Sequence, residues 1–331
     1  MNRVSVIIPT HNCARYICAA IESVLSQKYP DVEAVVVDDA SQDNTISLLH
    51  ERFASAIQSQ QIKIIRNPKN MERSASRNIG AKHAKGGVLM FLDADDVYLP
   101  DHAANVMKMF EEQADADAVY VHPSRIIDEK GSVVGRPLPF ISPCRFSTDQ
   151  LITMGSIPCT IGISVRRKAF DSIGGFTAEL NQREDWDFGL RLIMHGHRVT
   201  SIQADTVCVR YHEGNTSKHR AEFLGATELV FERAWNFSLR RGFGRSFQAA
   251  FLLAVAAHHL NRYSIRRGRQ FLLGALLRSP LSMLSVRAIK LLVKAILPRQ
   301  ITKAISGERV YSDLSEPCFK VRVPLKELVL Q

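Results

Sequence analysis

Asp93-Ala94-Asp95-Asp96 sets carboxylates at i, i+2 and i+3 directly after the apolar run VLMFL (88–92). Carboxylates at i and i+2 beyond a strand end can hold a hard divalent cation, which then neutralises phosphate oxygens. A second acidic cluster, Asp38-Asp39-Ala40-Ser41-Gln42-Asp43, follows the run AVVV (34–37). Holding several carboxylates together without a cation is costly, since each like charge disfavours ionisation of the next. Two more polar stretches follow apolar runs: Pro9-Thr10-His11-Asn12 after VSVII (4–8), and Ser76-Arg77-Asn78 after IKII (62–65) and a polar loop. Neither G-x-G-x-x-G nor a P-loop occurs, so cradling of a diphosphate by a glycine-rich backbone is not indicated. A lone D-x-D often marks only a turn. Its weight here comes from its place after a strand-like run, with a second acidic cluster after another.

The elements that must position these residues follow from periodicity. The four runs begin 30, 28 and 26 residues apart, room for one crossover helix each. Helical patterns fill ARYICAAIESVLSQ (14–27) and NTISLLHERFASAI (44–57). Strands alternating with helices at this spacing predict an α/β fold with a mainly parallel sheet. In such a sheet ligands bind beyond the carboxyl ends of the strands, which brings the polar turns to one edge. A second region, about 117–215, carries strand-like AVYV (118–121), IGISV (161–165) and VCVRY (207–211), and a helix candidate at 183–196. Beyond 218 the pattern is wholly helical, with three or four amphipathic segments over 218–303.

Composition bounds the rest. With 331 residues, 46% hydrophobic and 23% charged, the chain can bury a sizeable core, which excludes disordered, collagen-like and disulfide-stapled classes. Six cysteines without a C-x-x-C pair are expected to be reduced and not to hold a metal. No signal peptide is expected, because the N-terminus runs straight into VSVII, and FLLAVAA (251–257) falls far short of the roughly 20 residues of a spanning helix. These features predict a cytoplasmic protein. The net charge of +10 is unevenly placed: residues 233–307 hold 14 Lys/Arg and no acid, leaving 29 basic against 33 acidic residues elsewhere. That segment is expected to face something anionic. Nucleic acid fits poorly, since neither interleaved aromatics nor a known binding motif accompanies the arginines.

Taken in order, VSVIIPTHN, VVVDDASQDNT, SRNIGAKHAKGGVLMFLDADD, IGGF and EDWDFGLRL resemble family 2 glycosyltransferases over roughly residues 1–217. The resemblance implies a GT-A (Rossmann-like) sheet flanked by helices, with a C-terminal helical extension. It also implies transfer of a sugar from a nucleotide diphosphate donor, UDP- or dTDP-linked, with inversion and with Mg2+ or Mn2+. Domains are then expected at 1–217, split into a nucleotide-sugar half (1–116) and an acceptor half (117–217), and at 218–331. Carried over by residue, Pro9 and Thr10 would line the nucleoside pocket and Asp39 would accept from uracil or thymine. Arg77 would face the phosphates, Asp93 the ribose, and Asp95 the metal. Asp185 matches the general base, and His212 resembles a histidine near the metal or diphosphate. The acceptor would be a glycan or lipid-linked hydroxyl in surface polysaccharide or glycoconjugate synthesis, with the basic arm peripheral on an anionic inner leaflet. One departure is the loop Asn67-Pro68-Lys69-Asn70-Met71-Glu72-Arg73, where many members are glycine-rich.

Plainer roles compete at several positions. Asp38 and Asp43 can cap the helix near Asn44, and Asp96 is expected to cap a turn before Pro100. Trp186 and Phe188 are expected to pack against the sheet, and Asp187 with Arg191 to form a helix-surface ion pair. His212 reads equally as structural or functional, and His11, His83, His195 and His197 as surface or core residues. Two other functions stay in view: a sugar-phosphate nucleotidyltransferase, which lacks its glycine-rich loop here, and a non-catalytic binder, which retention of both Asp95 and Asp185 opposes.

Overall fold

A computed structural model describes residues 3–135, 160–180, 182–212, 226–227, 229–236, 244–262, 265–280, 288–289, 291–292 and 295. The chain forms two compact units, Met1–Phe146 with Pro158–His219, and Ser147–Ile157 with Arg220–Gln331.

The first unit opens with β1 (Val4–Thr10), α1 (Ile17–Leu25), β2 (Val32–Asp38), α2 (Thr45–Arg52), α3 (Ala54–Gln58), β3 (Ile62–Arg66), α4 (Glu72–His83) and β4 (Val88–Phe91). It continues with β5 (Val97–Tyr98), α5 (His102–Glu112), β6 (Ala118–Val121), β7 (Arg125–Ile127), β8 (Val133–Gly135), β9 (Ile163–Arg166), α6 (Arg167–Ser172), α7 (Glu184–Met194), β10 (Val199–Ile202) and β11 (Val207–Arg210). Seven strands form the main sheet in the order β10-β6-β9-β4-β1-β2-β3. All neighbours are parallel except β9, which runs antiparallel to both β4 and β6. Every residue of β1 and β4 is buried, as a sheet covered on both faces requires. A smaller sheet orders β5-β11-β7-β8.

The apolar runs of the first hundred residues thus form β1 to β4. The helical pattern at 44–57 does not form one helix. It breaks at Phe53, whose buried ring joins the core cluster and whose backbone leaves the helical region, giving α2 and α3. α4 packs on β1 and β2. Its closeness depends on Gly80, where a Cβ would lie 2.5 Å from Ile7 Cγ2.

In the second unit, α8 (Arg245–Arg262) and α9 (Ile265–Arg278) pack as a pair. A Cβ at Gly268 would sit 2.5 Å from Leu260 Cγ, so the helices meet backbone to side chain. No described helix is long and apolar enough to cross a membrane. Residues 213–217 of the YHEGNTS stretch and the tail from 296 lie outside the described residues.

Candidate active site

β1 pairs with β2 through Thr10↔Asp38, but with β4 only as far as Ile7↔Phe91. The sheet therefore opens between the ends of β1 and β4. This is also where strand order reverses, with β2 and β3 built to one side of β1 and β4 to the other, the usual place for a ligand crevice. Pro9 and Thr10 lie on β1 beyond its last pairing with β4. Thr10 is buried and its Oγ1 has no hydrogen-bond partner among the described residues, which leaves a donor and an acceptor for a ligand.

Asp39 follows β2. Its Oδ1 accepts from Asn67 Nδ2 at 2.7 Å and from the Met71 amide at 2.8 Å. Both bonds fall on one oxygen, which fixes the carboxylate and leaves the acceptor capacity of Oδ2. The loop 67–73 that departs from the glycine-rich pattern thus acts here through side-chain and backbone donors. Asp38 caps the Ser41 amide at 3.3 Å, not the following helix, and pairs with Arg66 at 3.2 Å. Asp43 takes the helix-start role, accepting from the Thr45 amide at 3.0 Å. Burial pushes its carboxyl upward, but the bonds from Thr45 and Ala14 hold it below the ordinary range. Asn12, Ala40, Glu72 and Arg183 all have positive φ, so backbone strain gathers in the turns that carry or adjoin these residues.

After β4 the acidic turn divides its labour. Asp93 Oδ1 accepts from Arg77 Nη2 at 2.5 Å. Burial would raise its carboxyl, but Arg77 and then Arg73 hold it low. Asp95 Oδ2 lies 2.8 Å from His212 Nε2. Asp96 does not cap the turn before Pro100. Its Oδ1 accepts from the Arg210 amide at 2.7 Å, because the buried end of β11 needs a partner there. Burial, then the charges of Asp95 and Asp93, push the Asp96 carboxyl well above its usual range. Cys13 feels the same field, with its thiol pushed up to about 12 by burial and then by Asp95 and Asp43.

Arg210 holds this region together. Its Nε donates to the Asp95 carbonyl at 2.7 Å, its Nη1 to the Asp128 carbonyl at 2.6 Å, and its guanidinium lies 5.0 Å over the Tyr16 ring. Tyr16 in turn sits 5.1 Å from the His212 ring. Sequence reasoning missed Arg210; its place two residues before His212 was the available signal.

Across the crevice, α7 begins with Glu184 and Asp185. Asp185 Oδ1 accepts from the Trp186 amide at 2.7 Å. Burial and the adjacent Glu184 raise its carboxyl to about 7, against that bond and the charges of Arg183 and Arg77. Glu184 Oε1 accepts from Arg77 Nη1 at 2.9 Å, so Arg77 meets a carboxylate with each terminal nitrogen. Trp186 and Phe188 are core residues. The Asp187–Arg191 pair is not on the surface. Asp187 is 2% exposed and accepts from Arg191 Nε at 2.8 Å and Thr177 Oγ1 at 2.7 Å, while Arg191 also donates to the Ile173 and Gly175 carbonyls. It pins α7 to the IGGF turn, which the i, i+4 spacing alone could not disclose.

The family model of glycosyl transferase family 2 matches residues 5–174, just over half of the chain. A glycosyltransferase of Haemophilus influenzae is 30% identical over 191 residues, covering 57% of this chain and 61% of that relative. The Escherichia coli UDP-Glc:alpha-D-GlcNAc-diphosphoundecaprenol beta-1,3-glucosyltransferase WfaP is 26% identical over 224 residues, covering 68% of this chain and 83% of its own. Residues 1–349 of S. aureus TarS, solved with UDP-GlcNAc, share the fold with a TM-score of 0.60 at 18% identity over 95% of each chain. The Pyrobaculum calidifontis mannosyltransferase PcManGT, solved with GDP-Man and Mn2+, does so with a TM-score of 0.57 at 20% identity, over 93% of this chain and 88% of its own. A sheet split between β1 and β4 with acidic turns at its lips, a GT-A fold in its structural neighbours, and a matching sequence model agree: the chain belongs to glycosyl transferase family 2.

Proposed function

We propose that this glycosyltransferase is inverting and metal-dependent, moving a sugar from a UDP- or dTDP-sugar to a hydroxyl acceptor in surface polysaccharide or glycoconjugate synthesis. The observation that carries the reading is Asp185, a carboxyl raised to about 7 at the head of α7, opposite the acidic turn of β4. An acceptor hydroxyl is a poor nucleophile, so a carboxylate must take its proton as it attacks. A single such base, with no second carboxylate assigned as nucleophile, fits direct displacement and inversion. Thr10 and Asp39 offer the nucleoside a free hydroxyl and a fixed acceptor oxygen, beside Pro9. Asp93, held by Arg77, is the carboxylate assigned to the ribose.

The residues present fit a divalent cation. Asp95 and His212 supply a carboxylate oxygen and an imidazole nitrogen 2.8 Å apart, close to the roughly 2.9 Å edge of an octahedron with bonds of about 2.05 Å. Among the described residues no third His, Cys, Asp or Glu joins them, which suits an ion that takes its remaining ligands from substrate phosphates and water. Bound there, the ion would stabilise charge on the departing diphosphate. The Mn2+ of PcManGT and the UDP-Glc donor and lipid-diphosphate acceptor of WfaP support this reading. A place on an anionic cytoplasmic leaflet would bring the basic arm and such an acceptor together.

Replacing Asp185 by Asn tests the base. Donor affinity should persist while turnover falls by about 10²–10⁴, the usual contribution of a positioned base. In the unmodified enzyme the rate should fall as pH drops through 7, because the base is then protonated. A variant that lost donor affinity but kept its turnover number would make Asp185 a binding residue.

A further inference from the structure

Arg77 is 1% exposed, and its two terminal nitrogens are committed to carboxylates from different elements. Nη1 reaches Glu184 at the start of α7 at 2.9 Å, and Nη2 reaches Asp93 after β4 at 2.5 Å. The guanidinium lies 5.5 Å over the Phe176 ring, which limits its movement. Its helix is fixed to the same segment at two further points. Ser74 Oγ donates to the Leu180 carbonyl at 2.6 Å, and Asn78 exchanges bonds of 2.8 Å with the Phe176 amide and carbonyl. A planar fork so held spans the crevice from the acidic turn to the residue next to Asp185.

We propose that Arg77 is a positioning residue acting through Glu184 on Asp185, and that its role is not contact with the donor diphosphate. The proposal rests on the reading of Asp185 as the base. Among the described residues, the charged groups acting directly on Asp185 are Glu184 and Arg183 beside it in the chain and Arg77 from α4, with Asp93 behind Arg77. Glu184 favours the protonated form of Asp185, and Arg77 offsets Glu184. Without Arg77, the buried Glu184 charge would stand uncompensated and Asp185 would keep its proton to higher pH. Without Glu184, it would release the proton at lower pH. Removing both charges should nearly restore the starting balance. A phosphate ligand would be told apart by UDP affinity, which falls when a charge that holds the diphosphate is removed.

The test follows the Asp185 carboxyl by carbon NMR titration in the full chain, assigned with Asp185→Asn, alongside calorimetry with UDP and Mn2+. The midpoint should rise by about one pH unit in Arg77→Gln and fall by a similar amount in Glu184→Gln, the range expected for a nearby charge. In the double variant it should return close to the starting value. UDP affinity should fall by less than about tenfold throughout, since no phosphate contact is lost and the cost is limited to Asp93, which Arg77 holds. A tenfold or greater loss of UDP affinity in Arg77→Gln with an unmoved midpoint would overturn the proposal. If Arg77→Gln does not fold, an unmoved midpoint in Glu184→Gln, or a tenfold loss of UDP affinity in the double variant, overturns it equally. The titration needs no turnover, so full activity in Asp185→Asn would remove the base reading while the midpoints still decide how Arg77 acts.

Discussion

Asp95 and His212 are 117 positions apart in the chain and meet at 2.8 Å. What brings them together is Arg210, which draws the end of β11 onto the acidic turn through the Asp95 carbonyl and the Asp96 carboxyl. Asp96, with its proton affinity raised by burial and by its neighbours, serves that backbone bond and leaves Asp95 as the carboxylate available for a cation. With two protein ligands among the described residues, the ion and the diphosphate should bind as a unit, each completing the other's site. UDP is therefore expected to bind at least about tenfold more weakly when divalent metal is chelated, a difference of about 1.4 kcal/mol. Asp95→Ala should bind UDP equally weakly with and without Mn2+, and His212→Gln should fall between. Isothermal calorimetry reads all of these. Equal UDP affinity with and without metal in the unmodified protein would remove Asp95 from the role given to it.

At the scale of elements, the crevice exists because α4 lies close enough on β1 and β2 to bring Arg77 and Asn78 to the IGGF turn. Gly80 sets that distance. A methyl there would stand 2.5 Å from Ile7 Cγ2 and 3.1 Å from Val37 Cγ2, both in strands buried on every side. Gly80→Ala should cost about 1–3 kcal/mol of stability, as overpacking of a dense core does, and should weaken UDP binding by shifting Ser76, which accepts from the same Asn67 amide that fixes Asp39. Unchanged denaturant midpoint and UDP affinity would show that α4 can back away freely. The elements most legible in the sequence were the continuous apolar runs of β1, β2 and β4, since burial on both faces leaves a plain signal, while the edge strand β3 keeps Lys63 and Arg66 exposed. β10 was missed because its VTSI is half polar although wholly buried. The antiparallel direction of β9 was equally hidden: IGISV reads as a strand, but periodicity carries no information on which way its partners run. The carboxylates of the site could be found from their spacing after strands. The bridging of Arg77 could not, because its Glu184 partner lies 107 positions away. For the same reason the Asp187–Arg191 pair looked like a surface pair, although what buries it is the turn before α7.

The whole molecule carries its charge in an uneven way that its helices make more specific. The exposed side of α9 bears Arg266, Arg267 and Arg269 toward its start, then Leu273, Leu276 and Leu277, which are 52%, 41% and 55% exposed. Leu272, Gly274 and Ala275 face inward instead, so these three leucines are not needed for packing within the described residues. A soluble helical cap usually mixes both signs on its wet face, because interspersed acids relieve repulsion. Residues 233–307 hold 14 basic side chains and no acid, so nothing within that segment offsets their repulsion. Exposed leucine beside arginine is the chemistry of an anionic lipid interface, where apolar side chains enter the acyl boundary and cations meet headgroups. Each basic residue near such a surface contributes about 1 kcal/mol, falling off with screening. The full chain should therefore sediment with phosphatidylglycerol-containing liposomes at low salt and release as salt rises. Replacing Leu273, Leu276 and Leu277 together by Ser should weaken binding at every salt concentration, because the apolar contribution is not screened. Replacing Arg266 and Arg267 by Gln should weaken it mainly at low salt. Neutral liposomes should retain little protein. Full-length protein that ignores anionic liposomes at low ionic strength would leave this face as a docking surface for another protein chain.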